Sequence, residues 1–239
     1  MIFIKGEISL SVIGIIGAMP IEISLLKENL KIVNEIEYAG FKFYICNREN
    51  IKIILTSCSI GKVNAASCTQ ILIDKFNVTH IINTGIAGSL NESVKICDIV
   101  ISKTVTHHDV RKSQMKKFFP FKEEFESDKF LIETAIKAYK KIESINFNCH
   151  IGKIVSGEAF ISDYNLRDKI IKEYSPHCVE MEGAAIGHVA HINNIPFLII
   201  RSISDNADDN FTNYIDFEKT SANNSAFLVL NILDLLAKT

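Results

Sequence analysis

Acidic residues at the ends of apolar runs are the first candidates for chemistry in this sequence. Asp205 follows Phe197, Leu198, Ile199 and Ile200 in what reads as the most apolar strand of the chain. Burial there would raise its pKa and prepare it to donate a proton. The same residue type equally serves as the N-cap of a following turn. Glu180 and Glu182 flank Met181, and alternate side chains of an extended segment share a side, so the two carboxylates point the same way. Such a pair either clamps sugar hydroxyls or sits solvated on a surface. Arg201 follows four apolar residues and, if buried, needs a carboxylate partner. Phe160, just beyond Gly157, is placed to stack on a flat ring or to fill a core.

A glycine-bearing or polar stretch follows almost every apolar run. These are Gly17-Ala18-Met19, Ser59-Ile60-Gly61-Lys62, Asn83-Thr84-Gly85-Ile86-Ala87-Gly88, Ser156-Gly157-Glu158-Ala159-Phe160, Glu180-Met181-Glu182-Gly183 and Arg201-Ser202-Ile203-Ser204-Asp205. In open α/β sheets the carboxyl ends of the strands form the ligand crevice, so such segments converging on one edge point to a small-molecule site. The glycines do not form a nucleotide fingerprint. Gly14-Ile15-Ile16-Gly17 lacks the G-x-G-x-x-G spacing, and Gly61-Lys62 lacks both the spacing and the hydroxyl residue of a P-loop. His107, His108 and Asp109 invite a metal, but adjacent strand residues face opposite sides. His107 and Asp109 alone are too few for a site, so neither a metal nor a cofactor is expected.

These residues need elements to hold them, and the sequence supplies an alternation of apolar strands and amphipathic helices. Strands are predicted at 12–17, 41–46, 51–57, 78–83, 98–106, 150–155, 178–180 and 196–203. Helices are predicted from Pro20 onward and over 61–76, 128–142, 164–174, 183–192 and 216–237. Pro20 suits a first helical turn, and Ser127 or Asp128 would cap the helix that follows. The alternation implies a single α/β domain over 1–239, a mixed central β-sheet flanked by helices on both faces.

The chain has 239 residues, 47% hydrophobic and 23% charged. A chain of that size buries about three quarters of its unfolded surface and needs no disulfide or metal to hold a core. Its 26 basic residues against 28 acidic ones argue against a nucleic-acid backbone as partner. The one basic stretch, Arg111 to Lys122, runs into Glu123, Glu124, Glu126 and Asp128 and reads as a solvated loop of mixed charge. The six cysteines contain no C-x-x-C pair, which fits buried reduced thiols in a cytoplasmic protein. Ile8 to Ala18 lacks a positive flank and a good cleavage site, so no secretion signal is expected. No run reaches the roughly 18 apolar residues that a membrane span needs.

Taken together, Ile13-Gly14-Ile15-Ile16-Gly17-Ala18-Met19, Asn83 to Gly88, Val155 to Ile161, Val179-Glu180-Met181-Glu182 and Arg201 to Asp205 resemble the bacterial 5′-methylthioadenosine/S-adenosylhomocysteine nucleosidases of the nucleoside phosphorylase superfamily. The resemblance runs collinearly over about residues 12–238, leaving 1–11 as a short N-terminal extension. It implies a nucleoside phosphorylase-like fold that hydrolyses the N-glycosidic bond of 5′-methylthioadenosine, S-adenosylhomocysteine and 5′-deoxyadenosine, releasing adenine. Phosphorylases resembling this chain carry Gly-Asp-Pro after the first strand and an Arg where Asn83 stands. Here Glu22 enters instead, which suits water rather than a phosphate dianion as nucleophile.

The resemblance assigns Asp205 as the acid that protonates adenine N7 and Glu22 as the base for the attacking water, with Arg201 and Glu182 holding that water. Glu182 and the Met181 backbone would contact the ribose hydroxyls, and Glu180 belongs to the same substrate-binding set. Phe160 would stack on adenine, while the Ile161 backbone and Ser204 would fix the base and Asp205. Met19, Ile60, Ala87 and Gly88 complete the implied lining. Two places in the chain depart from the family pattern. Ile86 stands where some members have Ser, and Arg111 to Met115 replace aromatics that cover the 5′ substituent bound by the neighbouring subunit. Phe118, Phe119 and Phe121 come only later. A homodimer is expected, with Val110 to Phe121 completing the partner's site; no nucleic-acid or membrane partner is.

Overall fold

The computed structural model describes residues 12–143, 146–208 and 211–238, without the side chains of 211–213. The expected extension, residues 1–11, lies outside them. The first half of the chain forms β1 (Val12–Gly17), α1 (Pro20–Asn29), β2 (Lys31–Tyr38), β3 (Phe41–Arg48), β4 (Ile51–Ser57), α2 (Lys62–Phe76), β5 (His80–Ser89) and β6 (Ile99–His107). Then come α3 (Lys112–Lys117), β7 (Glu124–Glu126), α4 (Lys129–Lys140), β8 (Cys149–Ser156), α5 (Tyr164–Tyr174), β9 (Cys178–Glu180), α6 (Gly183–Ile192), β10 (Phe197–Asp205) and α7 (Phe211–Leu236).

All the described strands belong to one sheet. It runs β2-β3-β4-β1-β5 and then closes on itself, because β5 pairs with both β9 and β10, β10 with β6, β6 with β8, and β8 with β9. The β1–β4, β1–β5, β5–β10, β6–β8 and β8–β9 pairs are parallel; the others are antiparallel. This is the mixed sheet that the alternation implied.

Both faces of the sheet are covered, and the strand sequences show why. In β1, Ile13 and Ile15 join the core under α1, α4 and α7, while Ile16 faces the other core under α2 and α6. In β10, Leu198 and Ile200 face the first core, and Phe197, Ile199 and Ile203 the second. A strand buried on both faces must be apolar at consecutive positions, as these are.

The structure corrects the sequence reading at several elements. Lys31–Tyr38 is a strand that went unassigned: it is almost wholly exposed and pairs only with β3, so no apolar run marks it. β3 extends through Arg48, beyond the predicted end at Cys46, which leaves only Glu49 and Asn50 between it and β4. The solvated loop expected from Arg111 to Lys122 contains α3, which buries no residue and therefore carries no apolar stripe. β7 follows it with only Phe125 buried. The polar segments after the strands at 78–83 and 196–203 are not loops but continuations of β5 and β10. They pair Ile200 with Thr84, Arg201 with Gly85 and Ile203 with Ala87, so their backbone groups are satisfied within the ladder. α7 begins at Phe211 rather than Asp216. At α4, Asp128 is the cap, accepting from Leu131 N at 2.9 Å.

Candidate active site

Where β10 runs polar beside the glycine-bearing end of β5, Arg201 is almost completely buried among carboxylates. Its Nη2 donates to Asn83 Oδ1 at 2.7 Å, to Glu182 Oε2 at 3.3 Å and to Glu180 Oε2. Its Nη1 donates to Ile86 O at 3.3 Å and lies 3.7 Å from Glu22 Oε1. Its Nε is buried without a hydrogen-bond partner. Gly85 makes this packing possible, since a Cβ there would overlap both Arg201 Nη1 and Glu22 Oε1.

Glu22 stands in the first turn of α1 and closes that helix end itself. Its Oε2 accepts from Ala18 N at 2.6 Å and Met19 N at 2.8 Å, and its Oε1 from Ile86 N at 2.9 Å. Glu180 is held differently. It accepts from Ser156 Oγ, from Glu182 N at 2.9 Å, from Gly183 N at 2.7 Å and from Arg201, so its oxygens are occupied by protein donors at the start of α6. Glu182 accepts from Gly61 N at 2.9 Å, which ties the β9–α6 turn to the start of α2.

Three carboxylates around one guanidinium leave excess negative charge in a dry place, and proton affinities respond. Burial pushes Glu22 above its ordinary value, although Arg201 and the surrounding N–H groups pull it part of the way back. Burial also pushes Glu182 up to about 7; Arg201 opposes this, while Glu180 and Glu22 add to it. Burial works to strip the Arg201 proton, yet Glu180, Glu182 and Glu22 outweigh it and hold the guanidinium charged. At the end of β10, burial raises Asp205, against hydrogen bonds from Ser204 Oγ at 2.7 Å and Ala207 N at 2.8 Å.

Asp205 and the Arg201 cluster open into one cavity. Met19, Ile60, Ala87, Gly88, Phe160, Met181 and Ser204 line it together with Glu22, Glu180, Glu182, Arg201 and Asp205. Ile161 is buried and lines an adjoining recess beside Gly88, Phe160 and Asp205. Gly88 is needed where it stands, because a Cβ would come within 2.8 Å of Asp205 Oδ1. Of the residues that the resemblance assigned to the site, all but Ile161 line this one cavity, whereas His107, His108 and Asp109 do not.

One wall was not foreseen. Tyr214 on α7 lines the cavity, meets Phe160 edge-on at 5.8 Å between ring centroids, and donates to Glu218 Oε1 at 2.8 Å. It lies just before the predicted start of the last helix, so no periodicity marked it. Of the histidine segment, His107 packs its ring against Phe125 and His188, and Asp109 pairs with Lys62. No group of residues able to hold a metal ion occurs among the described residues, and no helix among them is long and apolar enough to cross a membrane.

The Phosphorylase superfamily model matches residues 12–234. The 5′-methylthioadenosine/S-adenosylhomocysteine nucleosidase of Staphylococcus haemolyticus is 37% identical over 94% of this chain and 100% of its own length. The nucleosidase of the same description from Colwellia psychrerythraea, solved in complex with adenine, is 34% identical with a TM-score of 0.90, covering 95% of this chain and 96% of that one. The futalosine hydrolase of Helicobacter pylori is also similar, at 30% identity and a TM-score of 0.88 over 95% of this chain and 98% of that one. The chain belongs to the phosphorylase superfamily and, within it, to the 5′-methylthioadenosine/S-adenosylhomocysteine nucleosidases, a family of N-glycosyl hydrolases.

Proposed function

We propose that this enzyme hydrolyses the N-glycosidic bond of 5′-methylthioadenosine and S-adenosylhomocysteine, and of 5′-deoxyadenosine, without a cofactor. Glu22 takes a proton from water as the water oxygen bonds to C1′. The electron pair of the C1′–N9 bond passes to the base, and Asp205 delivers a proton to N7, so that adenine leaves neutral. The products are adenine and the 5′-substituted ribose. Positive charge at C1′ and negative charge on the base both grow in the transition state, and carboxylates below the sugar with an acid at the base match that pattern. Arg201, through its unpartnered Nε, and Glu182 orient the water. Glu182 and the Met181 backbone bind the ribose hydroxyls. Phe160 stacks on adenine, and the Ile161 backbone and Ser204 fix the base.

The observation that carries this reading is the pairing of two raised carboxyls in one crevice, Glu22 against Arg201 and Asp205 at the far end of β10. A raised pKa makes Glu22 a stronger proton acceptor, and on Asp205 it favours the protonated form from which a proton is given. Water is the nucleophile because a phosphate dianion would meet Glu22, Glu180 and Glu182, with Arg201 the one cation paired to them among the described residues. Buried free cysteines with raised pKa, such as Cys46, suit a reducing compartment such as the cytoplasm. The enzyme acts as a homodimer: Phe118, Phe119 and Phe121 are 60%, 70% and 67% exposed in the single chain, an apolar group that a partner subunit would cover. Adenine release from each of the three nucleosides, followed by absorbance, tests the substrate assignment directly; failure with all three would overturn it.

A further inference from the structure

Behind two of the cavity's lining residues, Ile60 and Phe160, lies an ion pair that none of the roles above uses. Lys62 Nζ lies 2.6 Å from Asp109 Oδ1, with only 16% and 29% of the two side chains exposed. Asp109 Oδ2 accepts from Glu158 N at 3.0 Å, and Glu158 Oε1 accepts from Lys62 N at 3.0 Å. A Cβ on Gly61, whose φ is +101°, would come within 2.9 Å of Glu158 Oε2, so the Glu158 carboxylate lies against the start of α2. Three elements meet in this small loop of contacts. Lys62 opens α2, two residues after Ile60; Asp109 follows β6; and Glu158 lies in the irregular segment between β8 and α5 that carries Phe160 and Ile161. Ile60 and Phe160 are the half-exposed walls of the cavity.

We propose that Lys62, Asp109 and Glu158 are positioning residues, a latch that sets the gap between the Ile60 and Phe160 walls of the nucleoside cavity. The proposal rests on the reading of that cavity as an adenine-nucleoside site. Asp109 and Glu158 are both acidic, and Lys62 is the cation that lets them converge: its ammonium meets Asp109 and its backbone N–H meets Glu158. Without the ammonium the two carboxylates repel each other, and the segment bearing Phe160 is held less firmly against α2. Without the Asp109 carboxylate, Glu158 N and Lys62 Nζ both lose their acceptor. The latch touches no reacting atom, so it acts on how well the base is gripped and not on bond cleavage.

The test is adenine affinity by calorimetry together with KM and kcat for 5′-methylthioadenosine, in the wild type and in Lys62→Met, Asp109→Ala and the double variant. Each single change should weaken adenine binding and raise KM by roughly tenfold, the loss expected of a hydrogen bond to a charged partner. kcat should stay within about twofold, and the double variant should be little worse than the worse single one, because both cut the same contact. If Asp109→Ala does not fold, Asp109→Asn, which keeps one acceptor, should show a smaller change of the same kind. Wild-type adenine affinity in the single variants, or effects that multiply in the double variant, would overturn the latch while leaving the hydrolase reading intact. A wild-type enzyme that neither binds nor releases adenine would remove both.

Discussion

Asp205 and Glu22 carry opposite halves of one reaction, and each can be silenced by removing a single ionisation. Asn in place of Asp205 keeps the shape and the hydrogen-bonding capacity but has no proton to transfer. Asp205→Asn should therefore lower kcat by roughly 10²–10⁴-fold with little change in adenine affinity, as for a general acid. A residue that merely held Ala207 N would tolerate Asn, so wild-type turnover in steady-state assays would return Asp205 to a capping role. Glu22→Gln should show a similar loss of roughly 10²–10⁴-fold with adenine binding kept; lost binding at full turnover would make Glu22 a binding residue. Glu182 makes a prediction about stability. Its folded pKa of about 7 stands above the ordinary 4.5, so the native state holds the extra proton between those values. Stability should fall as pH rises through that window and level off above it. Melting temperatures of Glu182→Gln should show a shallower slope from about pH 4.5 to 7; an unchanged slope would mean that other groups set it.

At the scale of elements, the site depends on two strands that carry polar and glycine residues into the core. Gly85 on β5 is the most demanding position, because a side chain there would push Arg201 from Glu22. Gly85→Ala should cut kcat/KM at least tenfold and cost about 1–3 kcal/mol of stability, the usual scale of overpacking. Denaturation curves and steady-state kinetics measured together would check this, and a silent change would show that the cluster has slack. The same strands explain what was legible in the sequence. β1 and β10 announce themselves because burial on both faces demands unbroken apolar residues, and α5, β9 and α6 fall where their periodicity places them. The polar end of β5 and the last two residues of β10 read as loops, since Gly85, Gly88 and Ser204 have the composition of turns; only pairing between the two strands makes them sheet. β2 and α3 bury too little to leave a pattern. The site residues were legible as segments, but their convergence on Arg201 is long-range: Glu22 reaches it from α1 and Glu180 from β9. Tyr214 comes from a helix whose start no local signal marked.

At the scale of the whole molecule, a closed circuit of strands gathers the carboxylates, and a second copy of the chain is expected to finish the cavity. Sedimentation should show a dimer, and replacing Phe118, Phe119 and Phe121 together with Ser should give a monomer with a raised KM for 5′-methylthioadenosine. A fully active wild-type monomer would contradict this. The central claim is that water, activated by Glu22, cleaves the bond in a site too acidic for phosphate. The most direct measurement is adenine release from 5′-methylthioadenosine in phosphate-free buffer, with the sugar product identified and phosphate then added. The account predicts full activity without phosphate and a free 5′-methylthioribose product in both conditions. A rate that requires phosphate, with 5′-methylthioribose 1-phosphate as product, would contradict it.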